Sequence, residues 1–383
     1  MSVHPIHRRG ARPWRGVVGW CAAVALVIIG VVGWLGATAH GRNQLSHQYQ
    51  RIAFQWIADQ ETRGIHDRQA QAIRLHEYVH ERLYQPSSEK PIGDLEPIEI
   101  LAAQRGWCDQ QAAVFIQLAR TLPLDSRLVF LQDGHGSSPH SVAEVYFDGH
   151  WRIVDPFLGM IITNREGQLA SREELGADLQ LLTDLPQVRA LAASGFATDF
   201  VKMAGWYRNP PTIFNTWRGK RQGWLDRCPS ALRRLLVCAV QDLYLALCPS
   251  VMARSRLERQ LRRAKHYALV GRSRSAQRIL KGLIRQEAES RVQESAAFFL
   301  GRLYQSQGRL PQARVVLEAL LREHPHTGWA PMGRAALGAV YEAMHEPALA
   351  IAAYEESGLQ KTEAPIGTRV MALRALLNKK GLL

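Results

Sequence analysis

Three side chains within one stretch of the chain have the types and spacing for acyl-transfer chemistry. Cys108 opens an apolar run directly after Gly106-Trp107. His140 follows 32 residues later in Pro139-His140-Ser141-Val142-Ala143-Glu144-Val145-Tyr146. Asp155 comes 15 residues after that, in Trp151-Arg152-Ile153-Val154-Asp155-Pro156. A thiol attacks as its thiolate, and the start of a helix favours that anion through unpaired N–H groups and the helix dipole. An imidazole in reach takes the thiol proton and later protonates the leaving group, while a carboxylate fixes the imidazole tautomer. Taken singly, a cysteine in an apolar helix is a packing residue and a histidine on a strand a structural one.

The elements that must position these groups are legible around them. Ala112, Ala113, Ile116 and Ala119 recur at helical spacing, and Pro123 lies beyond the run, so Cys108 falls in the first turn of a helix over 108–120. Val142, Glu144 and Tyr146 alternate with Ala143, Val145 and Phe147, which is a strand pattern starting at His140. Asp148-Gly149 is a hairpin turn signal, and Trp151 to Val154 is the returning strand. Counting outward from the turn sets His140 and Asp155 roughly level on adjacent antiparallel strands.

These phrases resemble the transglutaminase-like superfamily. The resemblance rests on Gly106-Trp107-Cys108, on His140 heading a strand with Glu144-Val145-Tyr146, and on Trp151-Arg152-Ile153-Val154-Asp155-Pro156. It extends back through a preceding helix over Gln69 to Tyr84 and the lead-in Glu99-Ile100-Leu101-Ala102-Ala103, and covers residues 67 to 160. The chain departs from the family at Val142, where an aromatic is usual, and at Leu124-Asp125-Ser126-Arg127, where Gly-Ile-x-Ala-Arg is common. Both departures bear on substrate preference. The resemblance implies a papain-like fold, acyl-thioester chemistry with Cys108, His140 and Asp155 as the catalytic residues, and no cofactor. The family includes cross-linkers, peptidases, amidases and inactive members, so it names no acyl acceptor. The Cys108 backbone N–H is the first oxyanion donor to consider, with the Gln104 or Trp107 side chain as a second.

A rival motif sits upstream. His76-Glu77-Tyr78-Val79-His80 matches the His-Glu-x-x-His zinc phrase, which sets two imidazoles one helical turn apart. No Gly-x-x-His completion follows, only Glu96 or Glu99 is near as a third ligand, and Ala72, Val79 and Leu83 mark the His76 side as packed.

The chain has 383 residues, enough for at least two cores. Gly16 to Ala39 holds no charge. At 1.5 Å per residue it is about 36 Å long, sufficient to cross a bilayer. Arg8, Arg9, Arg12 and Arg15 precede it, so the positive-inside rule puts residues 1–15 in the cytoplasm and the following domain outside, while the side of the C-terminal repeats depends on whether 235–253 crosses. A cleaved signal peptide is the alternative, with Ala37-Thr38-Ala39 mimicking a cleavage site. The expected location is a single pass in a bacterial inner membrane with the catalytic domain on the periplasmic side. The five cysteines show no zinc spacing.

The net charge of +14 is concentrated. Arg218 to Gln286 carries 17 Lys and Arg against Asp226, Asp242 and Glu258. Within it, Leu235 to Ala253 is apolar apart from Gln241 and Asp242, and reads as a helix on an anionic membrane surface or, less simply, a second crossing that must bury Asp242. No motif supports nucleic-acid binding. In the C-terminal third, Tyr267, Tyr304 and Tyr341 recur every 37 residues, with Gly271, Gly308 and His345, then Ala276, Ala313 and Ala350, in the same register. Together with Leu300-Gly301 and Leu337-Gly338 this resembles tetratricopeptide repeats, which imply a concave face for a protein partner.

The expected fold class is therefore α+β: a basic tail (1–15), an N-terminal transmembrane helix (16–39), a helical stalk (40–66), a transglutaminase-like domain with antiparallel sheet and its extension (67–217), a basic, membrane-associated helical segment (218–260) and a tetratricopeptide-like domain (261–383). The expected function is a membrane-anchored cysteine hydrolase or acyl-transferase cutting an amide of an envelope protein, peptide or cell-wall substrate. The alternatives are a non-catalytic envelope scaffold working through the repeats and a zinc peptidase using His76 and His80.

Overall fold

Helix-forming sequence dominates the chain, and the computed structural model describes it over residues 38–84, 95–185, 205–250, 253–286, 290–359 and 364–379, with Gly30, Gly33 and Val188. Among these residues the fold is mostly helical with one small antiparallel sheet, which corrects the expected α+β class with its transmembrane helix. No described helix is long and apolar enough to cross a membrane. The basic tail and all of the expected span at 16–39 except Gly30, Gly33, Thr38 and Ala39 lie outside the described residues.

Helix α1 (Ala39–Glu61) begins at Thr38, whose hydroxyl caps the Gly41 N–H. It is a core helix and not a free stalk: Tyr49, Ile52, Ala53, Phe54, Ile57 and Ala58 are buried. Helices α2 (Arg68–Arg82), α3 (Pro97–Ala103) and α4 (Cys108–Thr121) close around the same core. The four-stranded sheet follows, with β1 (Asp125–Leu131), β2 (His140–Phe147), β3 (His150–Val154) and the late strand β4 (Thr212–Trp217) in the order β3-β2-β1-β4. Asp148 and Gly149 both take positive φ, 51° and 80°, as a two-residue hairpin turn between right-twisted strands requires.

Both faces of the sheet are covered, which is why β2 is buried at every position but Tyr146. Ala143, Val145 and Phe147 join the helical core. Val129, Leu131, Val142 and Ile153 face a second cluster built from Leu158, Met160, Ile162 and Ala170, with Leu175 of the short helix α5 (Arg172–Ala177), Leu182 of α6 (Gln180–Thr183), and Tyr207. The stretch after Asp155 is thus the lid of the sheet.

The basic segment folds back on this unit. After the single turn α7 (Gly223–Asp226), helix α8 (Ser230–Leu247) packs along α1, burying Val237, Gln241 and Tyr244. Arg221 and Arg233 both reach Asp59 of α1, at 2.8 and 3.0 Å. Asp242, whose burial made a second crossing costly, accepts from Arg272 at 2.8 Å and from the Tyr267 hydroxyl at 2.7 Å.

Seven further helices run as successive hairpins: α9 (Arg256–Leu269), α10 (Ser273–Arg285), α11 (Ser290–Ser306), α12 (Leu310–Glu323), α13 (Ala330–Ala343), α14 (Pro347–Ser357) and α15 (Ala364–Lys379). The 37-residue register has a structural counterpart at the turns. Gly271, Gly308 and His345 take φ of 76°, 68° and 61°. The following N–H in each, of Arg272, Arg309 and Glu346, donates to the carbonyl of Tyr267, Tyr304 and Tyr341. Ala276, Ala313 and Ala350 are buried where the paired helices approach. Gly301 and Gly338 leave room for a large side chain on the next helix: a Cβ would stand 2.6 Å from Leu317 and 2.7 Å from the Tyr354 ring. Gly338→Val is therefore expected to cost about 1–3 kcal/mol by overpacking, read as a lowered urea midpoint. An unchanged midpoint would show that the hairpins can part at no cost.

Candidate active site

Cys108 owes its position to a tightly specified entry into α4. Gln104 adopts the left-handed conformation, φ 55°, and ends α3. The next residues are clamped to the end of α2, with Tyr84 N–H donating to the Gln104 carbonyl and Gly106 N–H to the Tyr84 carbonyl, both at 3.1 Å. Gly106 is confined: a Cβ there would meet Ile100 at 3.1 Å and Gln110 at 3.3 Å. The buried Gln111 amide donates to the Gly106 carbonyl at 2.9 Å, and Gln110 accepts from the Trp107 N–H at 3.1 Å. Trp107 is the N-cap, so Cys108 is the first helical residue, where backbone N–H groups have no partner within the helix. Its thiol is half-buried and free.

His140 is the first residue of β2 and is buried. Its Nε2–H donates to Asp155 Oδ2 at 2.7 Å, and the Cys108 thiol is near enough to act on the same ring. The Phe157 ring tilts over the imidazole with centroids 5.8 Å apart. Asp155 follows β3 and is fully buried, its second oxygen accepting the Leu158 N–H at 3.1 Å. The pairing register matches Phe147 with His150 and Ala143 with Val154. Extended by one residue, it sets Asp155 opposite Val142. His140 therefore lies two residues beyond level, and the carboxylate reaches it along the diagonal of the same sheet face.

The electrostatics follow from this line of three groups. Burial opposes the charged imidazole, but the Asp155 carboxylate and Cys108 outweigh it and push the His140 pKa up to about 10. Burial likewise opposes the Asp155 anion, yet His140 and the Leu158 N–H hold its carboxyl below the usual range. At neutral pH the arrangement thus favours an imidazolium beside the buried Asp155 carboxylate.

His76 and His80 have a different task from the one their spacing suggests. His76 Nε2 meets the Asp155 carbonyl at 2.9 Å and His80 Nδ1 meets the Pro156 carbonyl at 2.7 Å. A carbonyl only accepts, so each ring nitrogen is the donor. Burial first, and then the neighbouring His80, lowers the His76 pKa to about 4, and burial lowers that of His80. Two neutral imidazoles one turn apart thus grip the two carbonyls at the end of β3. The third ligands considered for zinc are engaged elsewhere: Glu96 accepts from Gln50 at 2.7 Å, and Glu99 is bound to Arg262 at 2.6 Å. Among the described residues no group of three or more His, Cys, Asp or Glu side chains is arranged to hold a metal ion. The zinc-peptidase expectation does not fit this donor set. Gln104, weighed as an oxyanion donor, accepts from Arg302 of α11 at 3.3 Å and so turns toward the helical hairpins.

Residues 55–156 match the family model of the transglutaminase-like superfamily. They form a transglutaminase-like domain. The match begins inside α1 and ends at Pro156, so it takes in Cys108, His140 and Asp155 and also the helix carrying His76 and His80. No curated protein and no solved structure matches the chain. The tetratricopeptide assignment of 261–383 is not confirmed by these comparisons. Sequence reasoning missed the His76–His80 grip, although its signal, the i, i+4 histidine pair, was in view. His76→Leu is expected to orphan the Asp155 carbonyl of this transglutaminase-like domain and cost about 1–3 kcal/mol, measured by urea unfolding. Equal stability would mean that the grip is incidental.

Proposed function

We propose that the chain is a cysteine hydrolase or acyl-transferase that acts on an amide bond of a protein or peptide. The observation that carries this reading is His140, hydrogen-bonded to Asp155 and in electrostatic reach of Cys108 at the start of α4. Cys108 Sγ attacks the amide carbonyl while His140 holds the thiol proton. The tetrahedral oxyanion forms near the unpaired Cys108 N–H at the helix start. His140 then gives its proton to the departing amine, and a thioester remains on Sγ. Water or a second amine, deprotonated by His140, attacks the thioester and releases the thiol. Asp155 keeps the imidazole oriented throughout, and the helical hairpins serve to bring a protein substrate or partner.

The test uses an activated ester in place of the unidentified amide. The full chain is incubated with p-nitrophenyl acetate at pH 7 and analysed by intact and peptide mass spectrometry. A single acetyl group on Cys108, turning over with time and absent from Cys108→Ser, is expected. Acetylation spread equally over Cys108, Cys228, Cys238 and Cys248 would favour the non-catalytic scaffold instead.

A further inference from the structure

A cavity of about 700 Å³ lies between the transglutaminase-like domain and the helical hairpins. Neither Cys108, His140 nor Asp155 lines it. One wall comes from α2, α3 and the residues just beyond them, with His80, Arg82, Tyr84 and Gln104; the other from α9, α10, α11, α13, α14 and α15, with Lys265, Phe299, Arg302 and Arg369 among them. Its size falls within the range of about 300–1,000 Å³ typical of small-molecule sites. Ala264, Ala268, Leu280, Leu303 and Ala339 give it an apolar floor.

The charges on these walls do not balance. Of the five cations that line the cavity, Arg74 is paired with Glu61 at 2.5 Å and Arg369 lies 3.8 Å from Glu342. Among the described residues Arg302 is held by neutral partners, Gln104 Oε1, Gln305 Oε1, the Glu81 carbonyl and the Tyr84 ring at 5.3 Å. Arg82 lies over the Tyr78 ring at 4.8 Å. Lys265 is the least satisfied. Its ammonium stands 4.1 Å from the Phe299 ring centre and 5.9 Å from that of Trp329, and among the described residues no carboxylate is within ion-pair distance of it. Glu99, which attracts it, already binds Arg262, Tyr244 and His266. Burial, with Arg105 adding to it, lowers the Lys265 pKa to about 7. A partly buried ammonium without a counter-ion is costly, and a bound anion would offset that cost.

We propose that this cavity binds a small organic anion, its acidic oxygens taken by Lys265 and Arg302 and its apolar body lying on the alanine- and leucine-lined floor. An inorganic ion would leave the floor empty, and a neutral molecule would leave Lys265 without a counter-charge. Carboxylate and phosphate monoester share the required chemistry. The site is independent of the reaction proposed above and stands whether or not Cys108 is acylated.

Isothermal titration of the full chain at pH 6.5 with octanoate, octyl phosphate, inorganic phosphate and octyl glucoside tests this. At least one of the two octyl anions is expected to bind, and at least about tenfold more tightly than inorganic phosphate or octyl glucoside. Lys265→Met should weaken that binding by about tenfold or more, while Lys265→Arg, which keeps the charge, should retain most of it. Lys265→Met removes a half-buried, unpaired charge and should fold at least as well as the parent, which a urea melt checks. Arg302→Gln gives a second, independent loss. Binding of neither octyl anion to folded protein, equal binding of octyl glucoside, or undiminished binding by Lys265→Met would overturn the proposal.

Discussion

Replacing His140 with Ala is expected to slow acylation of Cys108 by roughly 10²- to 10⁴-fold, the range that a positioned acid–base group contributes. The side chain is buried, donates to Asp155 at 2.7 Å and is influenced by the Cys108 thiol, and among the described residues no other titratable side chain hydrogen-bonds the Asp155 carboxylate. The removal also strands the Asp155 carboxylate in the protein interior, and that alone is destabilising. His140→Gln is therefore the partner variant: its amide can still donate to Asp155 but cannot move a proton. Both variants should acylate slowly while His140→Gln keeps more of the parent's urea midpoint. Parent-like acylation in folded His140→Gln would remove the case for proton transfer here and leave an ordinary thiol at a helix start.

The same pair sets a pH signature. The folded His140 pKa is raised to about 10, above the unperturbed value of about 6.5. Its contribution to stability is therefore full below pH about 6.5 and is lost as pH rises through 10. Asp155 is lowered, so its contribution is present above the unperturbed carboxyl value and lost as pH falls through the folded one. The two slopes bracket a plateau in mild acid, and they should vanish together in a variant lacking either side chain.

What was legible in the sequence was local. Cys108 at a helix start follows from the spacing of Ala112, Ile116 and Ala119, and the hairpin follows from Asp148-Gly149, because a turn of two residues constrains only its neighbours. The 37-residue register was legible for a related reason, since a residue of positive φ repeats at each turn. The level of His140 against Asp155 was misjudged by two residues, because side-chain reach hides such an offset. The His76–His80 pair resembles a metal phrase, and its actual role is hidden because the carbonyls it binds are 79 and 76 residues away along the chain. Likewise α1 was read as a stalk: its partners on α4 and α8 come much later, and nothing within residues 40–66 marks which face they cover. The Glu99 network was invisible for the same reason.

Glu99→Ala should be the most destabilising single change, by about 3–5 kcal/mol, because it removes the one carboxylate of a buried network and leaves the Arg262 charge uncompensated. Glu99 Oε1 accepts from Tyr244 at 2.7 Å and from Arg262 Nε and Nη2 at 2.9 and 2.6 Å, and stands 3.1 Å from His266 Nε2. His266 Nδ1 meets the Tyr49 hydroxyl at 2.9 Å, and the Gln241 amide donates to both the Tyr49 hydroxyl and the His266 carbonyl. These residues belong to α3, α8, α9 and α1, so the network fastens the basic segment and the first hairpin to the transglutaminase-like domain. Burial opposes the Glu99 anion, but His266 and Arg262 outweigh it and hold its carboxyl far below the usual range. The contribution is therefore present above the unperturbed glutamate pKa of about 4.3 and lost as pH falls through the much lower folded value. Urea midpoints at pH 7 and pH 4 would reveal it: the parent should weaken on acidification, and Glu99→Ala should start lower and weaken less. The double change Glu99→Leu with Arg262→Met should recover part of the loss, since neither charge then remains buried. If Glu99→Ala unfolds within about 1 kcal/mol of the parent, the two units are held together by apolar packing and this polar fastening is dispensable.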